Sequence, residues 1–224
     1  MFKYLYFFII LTAFTACRSA MNNPSSPQYS PIVEIETSLG TIVVQLSHKT
    51  PRHRDNFLKL VKNGFYHDIN FHRIINNFMI QGGDPNARAA GATYEGEELD
   101  NSTIAAEFDS TLFHYRGALC AARMGDQVNP TRASSATQFY IVQAKSIQPQ
   151  LFDQLARYKG YTYTAEQEKA YKEQGGTPHL DREYTVFGKV IDGMDVVDKI
   201  AVVPTNGAGQ PNEPIKIIST KIRK

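Results

Sequence analysis

Polar and apolar residues alternate along IVEIETSLGTIVVQL, residues 32 to 46, with one interruption at Leu39-Gly40. A period of two sends successive side chains to opposite faces of a sheet, so this stretch predicts two strands joined as a hairpin. The period then changes. Phe57, Leu58 and Val61 fall on one helical stripe, opened by Thr50 as cap and Pro51 at the first helical position, and stopped by Gly64. Strands are expected again at Phe71 to Ile75, Met79 to Gly82, Gly117 to Ala121, Phe139 to Val142, Val186 to Val190 and Ile215 to Ile222, while DGMDVVDKIA, from Asp192, reads as a short second helix. Many short strands with two helices fit a mainly β domain, a closed antiparallel barrel with helical ends, because closure removes exposed strand edges.

Two regions stand outside that rhythm. Residues 146 to 178 contain LFDQLARY and TAEQEKAYKEQGG, both helical in pattern, the second opened by a Thr164-x-x-Gln167 capping box and ended by Gly175-Gly176. This predicts a helical insertion. Before Ile32, RSAMNNPSSPQYSP is rich in Ser, Asn and Pro and lacks apolar periodicity, as a solvated tether does. One folded domain over residues 32 to 224 is the expectation.

The chain begins MFKYLYFFIILTAFTAC, with one lysine, an apolar run from Tyr4 to Ala13, and small residues before Cys17. That order is a secretory signal, and the run is shorter than the ~20 residues a membrane-spanning helix needs. Thr15-Ala16-Cys17 resembles the end of a bacterial lipobox, with Phe14 where Leu is usual. It implies a signal peptide over residues 1 to 16, acylation of Cys17, a tether over 17 to 31, and attachment to a lipid bilayer. With no acidic run after Cys17, the expected location is the cell envelope, on the periplasmic face of the outer membrane.

Composition narrows the chemistry. The 224 residues are 42% hydrophobic and 21% charged, enough apolar surface for one ordinary core, and a net charge of +2 spread along the chain leaves no nucleic-acid footprint. With Cys17 lipidated, Cys120 is the only other thiol, and it reads as a small buried hydrophobe without a disulfide. No catalytic triad, carboxylate pair, cofactor motif or metal spacing stands out, and a monomer is expected.

One stretch carries a chemical question: FHRIINNFMIQGGD, residues 71 to 84, sets Arg73, His72 and Gln81 among apolar residues in a hairpin. A two-residue turn at Asn76-Asn77 places Arg73 opposite Ile80. A three-residue loop, Asn76 to Phe78, places Arg73 opposite Gln81 and puts Phe71, Arg73, Ile75, Met79 and Gln81 on one face. The sequence leaves both open, and either gives an apolar surface bearing a few polar groups, which suits a small-ligand site. A structural arginine paired with an acid is the plainer alternative.

This segment resembles the signature strand pair of the cyclophilins, peptidyl-prolyl cis-trans isomerases. The likeness continues through ATQFYIV at 136 to 142 and LDREYTVFGKVIDGMDVVDKI at 180 to 200. It implies an eight-stranded barrel capped by two helices, with the site on its outer surface and proline-containing polypeptides as partners. By resemblance Arg73, Phe78 and Gln81 are catalytic. His72, Met79, Ala121, Ala122, Gln138, Phe139, His179, Leu180 and Tyr184 contact substrate, with the substrate backbone along Ala121 and Ala122. Departures are His179 where an aromatic such as Trp or Phe is common, Tyr184 where His is common, and Arg123 in place of Asn. The implied activity is rotation about X-Pro bonds in extracytoplasmic proteins as they fold. The alternatives are a proline-segment binding or chaperone module with little turnover, and a structural envelope lipoprotein with an inactive barrel.

Overall fold

The structure, a computed structural model, describes residues 28–94, 102–148 and 150–223 together with Asn23 and Ser26. The signal segment, Cys17 and most of the tether lie outside the described residues. In chain order the elements are β1 (Ile32–Thr37), β2 (Gly40–Leu46), α1 (Pro51–Lys62), β3 (Ile69–Asn70), β4 (Arg73–Ile75), β5 (Met79–Gly82), β6 (Thr103–Ile104), β7 (Ala118–Ala121), β8 (Ser134–Ser135) and β9 (Phe139–Val142). There follow α2 (Leu151–Lys159), α3 (Ala165–Gln174), β10 (Val186–Asp192), α4 (Met194–Ala201) and β11 (Lys216–Ile222). The fold is mainly β, as the alternation predicts. Strands β3, β6 and β8, of two residues each, are too short to leave a periodic signal.

Nine strands form one antiparallel sheet in the order β3-β11-β1-β2-β10-β7-β9-β5-β4, and β6 pairs with β8 apart from it. The sheet's two ends, β3 and β4, are consecutive in sequence. Between them Phe71 N donates to Ile215 O on one side and His72 N to Gln81 O on the other. Residues 69 to 75 therefore act as one bent strand, which reduces nine strands to eight and joins the two ends of the sheet. Closure of this kind satisfies the backbone groups an open edge would expose.

Inside the ring lies a core that includes Val33, Ile35, Ile42, Val44, Ile74, Ile80, Leu119, Phe139 and Ile141. Helix α1 covers it with Phe57, Leu58, Leu60 and Val61, and α4 with Val196, Val197 and Ile200. These are the two capping helices expected.

The start of α1 differs from its sequence reading. Thr50 occupies the cap position, but its hydroxyl is buried and accepts no hydrogen bond. The first-turn amides of Arg52 and His53 instead donate to Oε1 and Oε2 of Glu107, at 3.1 and 3.0 Å, and His53 Nδ1 lies 2.7 Å from the same carboxylate. A carboxylate suits a helix N-terminus better than a hydroxyl because it also opposes the positive end of the helix dipole.

The insertion contains α2 and α3, and both bonds of the Thr164–Gln167 capping box are present. Its return leg is tightly seated: Tyr115 bridges Gly176, Arg116 N donates to Gly175 O, and Thr177 N donates to His114 O. A Cβ at Gly175 would stand 2.3 Å from Ala144 O, and one at Gly176 2.3 Å from His114 O, so neither position admits a side chain. An aromatic cluster fills the space beneath: Tyr171 is fully buried, its ring 4.4 Å from Tyr115, 5.9 Å from Phe152 and 5.8 Å from Tyr163 between centroids.

Glu107→Ala is expected to lower the unfolding free energy by about 1–3 kcal/mol, read as a lower urea midpoint with an unchanged slope, since it leaves two first-turn amides without their acceptor. A midpoint equal to that of the native protein would show that water caps α1 as well as Glu107 does.

Candidate active site

The β4–β5 hairpin settles its own register. Arg73 faces Gln81, Ile74 faces Ile80 and Ile75 faces Met79, which is the longer-loop arrangement. The loop Asn76 to Phe78 turns through Asn77 at φ 56, a left-handed conformation that Asn tolerates. It is fastened to the end of β9: Asn77 N donates to Gln143 Oε1, Gln143 N to Phe78 O, and Lys145 N to Asn77 Oδ1. Ile74 and Ile80 point into the barrel. Arg73, Ile75, Met79 and Gln81 face outward. Phe71 departs from the alternation and lies in the barrel core, because the seam strand bends between β3 and β4.

On this outer face is a hollow of ≈ 120 Å³ lined by Arg73, Phe78, Met79, Gln81, Ala122, Arg123, Tyr140, Leu180 and Tyr184. Arg73 is exposed, and among the described residues nothing hydrogen-bonds to or ion-pairs with its guanidinium. The plainer alternative, an arginine consumed by a structural ion pair, does not apply. Arg123 is the opposite case. Its guanidinium donates to Glu183 O and to Asp126 Oδ1, 2.6 Å away, and lies 4.4 Å over the Tyr184 ring.

Several expected site residues sit elsewhere. Phe139 faces the barrel core, its ring against Phe57, Tyr66 and Phe71. Tyr140, one residue on, lines the hollow instead. Register explains the correction, because Gln81 pairs with Tyr140 while Phe139 pairs with Gly82, and paired residues share a face. Ala121 likewise belongs to the core, and its N–H is taken by Thr185 O. Ala122 does line the hollow, but its N–H donates to Gln138 O and its carbonyl accepts from Ser135 N. Neither alanine amide is free for a substrate backbone.

His72 is absent from the hollow; it is half-buried with Nδ1 unpartnered, and burial lowers its pKa. Gln138 stands behind Gln81, accepting its Nε2 at 3.0 Å. His179 stacks on Phe78 at 5.9 Å between centroids, as an aromatic rim residue would, with its pKa lowered by burial first and by Lys159 second. Burial also pushes the Cys120 thiol and the Tyr140 phenol well above their usual ranges. Both histidines thus favour the neutral form, and among the described residues that line the hollow the charged side chains are Arg73 and Arg123, of which Asp126 pairs with Arg123. The arrangement can grip a compact apolar group and direct one uncompensated donor at an atom beside it.

Comparison with known proteins places the whole domain beside one family. The family model described as cyclophilin type peptidyl-prolyl cis-trans isomerase/CLD matches residues 32–222. The chain is 40% identical over 196 residues to a protein of Streptococcus pyogenes serotype M6 classed by name as a bifunctional phosphatase/peptidyl-prolyl cis-trans isomerase, the match covering 86% of this chain and 38% of that protein. It is 38% identical over 172 residues to a protein of Staphylococcus saprophyticus classed by name as a peptidyl-prolyl cis-trans isomerase, covering 77% and 81%. Among solved structures, a Cryptosporidium parvum cyclophilin-type isomerase crystallised in the presence of the dipeptide Ala-Pro is similar with a TM-score of 0.62 at 25% identity, covering 86% of this chain and 99% of that one.

Proposed function

Because the chain belongs to the cyclophilin-type peptidyl-prolyl cis-trans isomerase family, and so is a peptidyl-prolyl isomerase, we propose that Arg73 and the hollow beside it turn X-Pro bonds in proteins that fold outside the cytoplasm. The observation that carries this reading is a guanidinium with no partner among the described residues, at the rim of a hollow walled in part by Phe78, Met79, Tyr140 and Leu180.

The amide resists rotation because resonance gives it double-bond character, with a barrier of ~18–20 kcal/mol, and uncatalysed X-Pro exchange takes roughly tens to hundreds of seconds. In the twisted transition state the prolyl nitrogen keeps its lone pair to itself. A guanidinium donating to that nitrogen stabilises the twisted state and not the planar one, which is the condition for acceleration. Arg is suited to this because it stays protonated throughout. No bond is made or broken, and no proton changes owner.

Magnitudes divide the work. Shortening a ~100 s exchange to ~1 ms takes about five powers of ten, roughly 7 kcal/mol. A preorganised donor at a developing charge supplies ~2.7–4 kcal/mol, so Arg73 accounts for about half. The walls supply the remainder: Phe78, Met79, Leu180 and Tyr140 grip the ring and exclude water, which strengthens the Arg73 hydrogen bond while the preceding residue turns.

Support for an extracytoplasmic site comes from the leader-like run and the Thr15-Ala16-Cys17 lipobox. In this reading acylated Cys17 ties the domain to the periplasmic face of a bacterial membrane, and the Ser- and Pro-rich tether lets it reach clients as they emerge.

Arg73→Ala is expected to lower the catalysed exchange rate of an Ala-Pro peptide, measured by NMR exchange spectroscopy, by about 10²–10³-fold. Equal rates for the two proteins would refute the assigned role. Cys17→Ser is expected to move the protein from the membrane to the soluble fraction on cell fractionation; undiminished membrane retention would remove lipid anchoring from the proposal.

A further inference from the structure

Behind the hollow lies a chain of buried polar groups that the mechanism so far does not use. Tyr140 presents its ring to the hollow while its hydroxyl points into the protein, 3.0 Å from Nε2 of His114. His114 is fully buried, and its Nδ1 and backbone N lie 2.7 and 2.8 Å from Oδ1 of Asp181, which is 2% exposed. The other carboxylate oxygen accepts from Tyr171 at 2.6 Å and Tyr163 at 2.8 Å, both on the insertion. Burial first, and the adjacent Asp181 second, push both phenols far above their ordinary range, so they remain neutral donors.

A carboxylate removed from water is tolerated only when its acceptor sites are filled. Asp181 has four donors, two from His114 and two from the insertion. With Nδ1 committed to Asp181, Nε2 faces the Tyr140 hydroxyl at 3.0 Å, and the two share a hydrogen bond. Tyr140 is then held on three sides: by that bond, by the His114 ring stacked at 6.2 Å, and by the Tyr184 ring edge-on at 5.9 Å. The insertion also grips the turn that carries the rim. Tyr161 O–H donates to Asp181 O, Tyr163 shares its one hydroxyl proton between Asp181 Oδ2 and Pro178 O, each 2.8 Å away, and Lys159 binds His179 O and Glu183.

We propose that the insertion is a working part of the isomerase site: its Tyr163 and Tyr171 hydroxyls, acting through Asp181 and His114, fix the pocket residue Tyr140, so that all four are positioning residues for X-Pro rotation. This rests on the isomerase reading of the hollow. A bare phenyl ring at position 140 would fill the hollow as well, but it would be deaf to the insertion; the hydroxyl is the link.

The test exchanges single oxygens. Tyr171→Phe and, separately, Tyr163→Phe are expected to lower kcat/KM on an Ala-Pro peptide by roughly 3- to 10-fold, the equivalent of one hydrogen bond. In a Tyr140→Phe background the same substitutions are expected to change kcat/KM by less than about 2-fold, while Tm falls in both backgrounds. In protein carrying ring-labelled tyrosine, the Tyr140 resonance, assigned by its loss in Tyr140→Phe, is expected to move in both single variants. Equal activity losses in the two backgrounds, or an unmoved Tyr140 resonance, would overturn the proposal and leave the insertion a brace. Should the native protein show no turnover at all, the isomerase reading fails separately and the resonance alone decides whether the link exists.

Discussion

A sheet that closes on itself allows each side chain only two destinations, and nearly everything about this protein follows from that restriction. Across β4, β5, β9 and β7 the inward row is Ile74, Ile80, Ile141 and Leu119, while the outward row is Arg73, Gln81, Tyr140 and Cys120. The aliphatic row makes the register costly to change. Burying each such side chain contributes roughly 1.5–3 kcal/mol, and a one-residue slip would exchange the whole row for a guanidinium, an amide and a phenol. The core therefore aims the site without touching it.

The hollow combines two arginines in contrasting electrostatic situations. Arg123 is spent on Asp126, on the Glu183 carbonyl and on the face of Tyr184, so its contribution is shape and a stiff rim. Arg73 has no such partner among the described residues, and its field is available to whatever enters. Buried polar groups beneath the floor are treated differently again: the Asp181 carboxyl oxygens are filled by two bonds from His114 and two from the insertion.

Legibility in the sequence tracks how local the cause is. Strands β5 and β9 and the capping box of α3 are written in neighbouring residues and were readable to within a residue or two. Thr50 looked like the cap of α1 because local spacing favours it, whereas the group that accepts the amides, Glu107, comes from far along the chain. Tyr140, not Phe139, lines the hollow, and the strand's own parity carries that fact. Gln138 and Tyr140 share parity along one strand, so placing Gln138 beside the outer face already sent Phe139 inward. The resemblance supplied the motif but not the pointing direction of each side chain. The His114–Asp181 pair left no local signal, since its halves meet only when the insertion folds back through Gly175 and Gly176.

The seam between β3 and β4 has one more implication. Arg73 is carried by the very segment that joins the two ends of the sheet, with Phe71 and His72 bonded to opposite neighbours just before it. The hoop cannot open there and still hold the guanidinium over the hollow, so a partly unravelled but working form is excluded by connectivity. Turnover thereby becomes a gauge of the unbroken hoop, and whatever pries the seam apart silences the catalyst in the same motion.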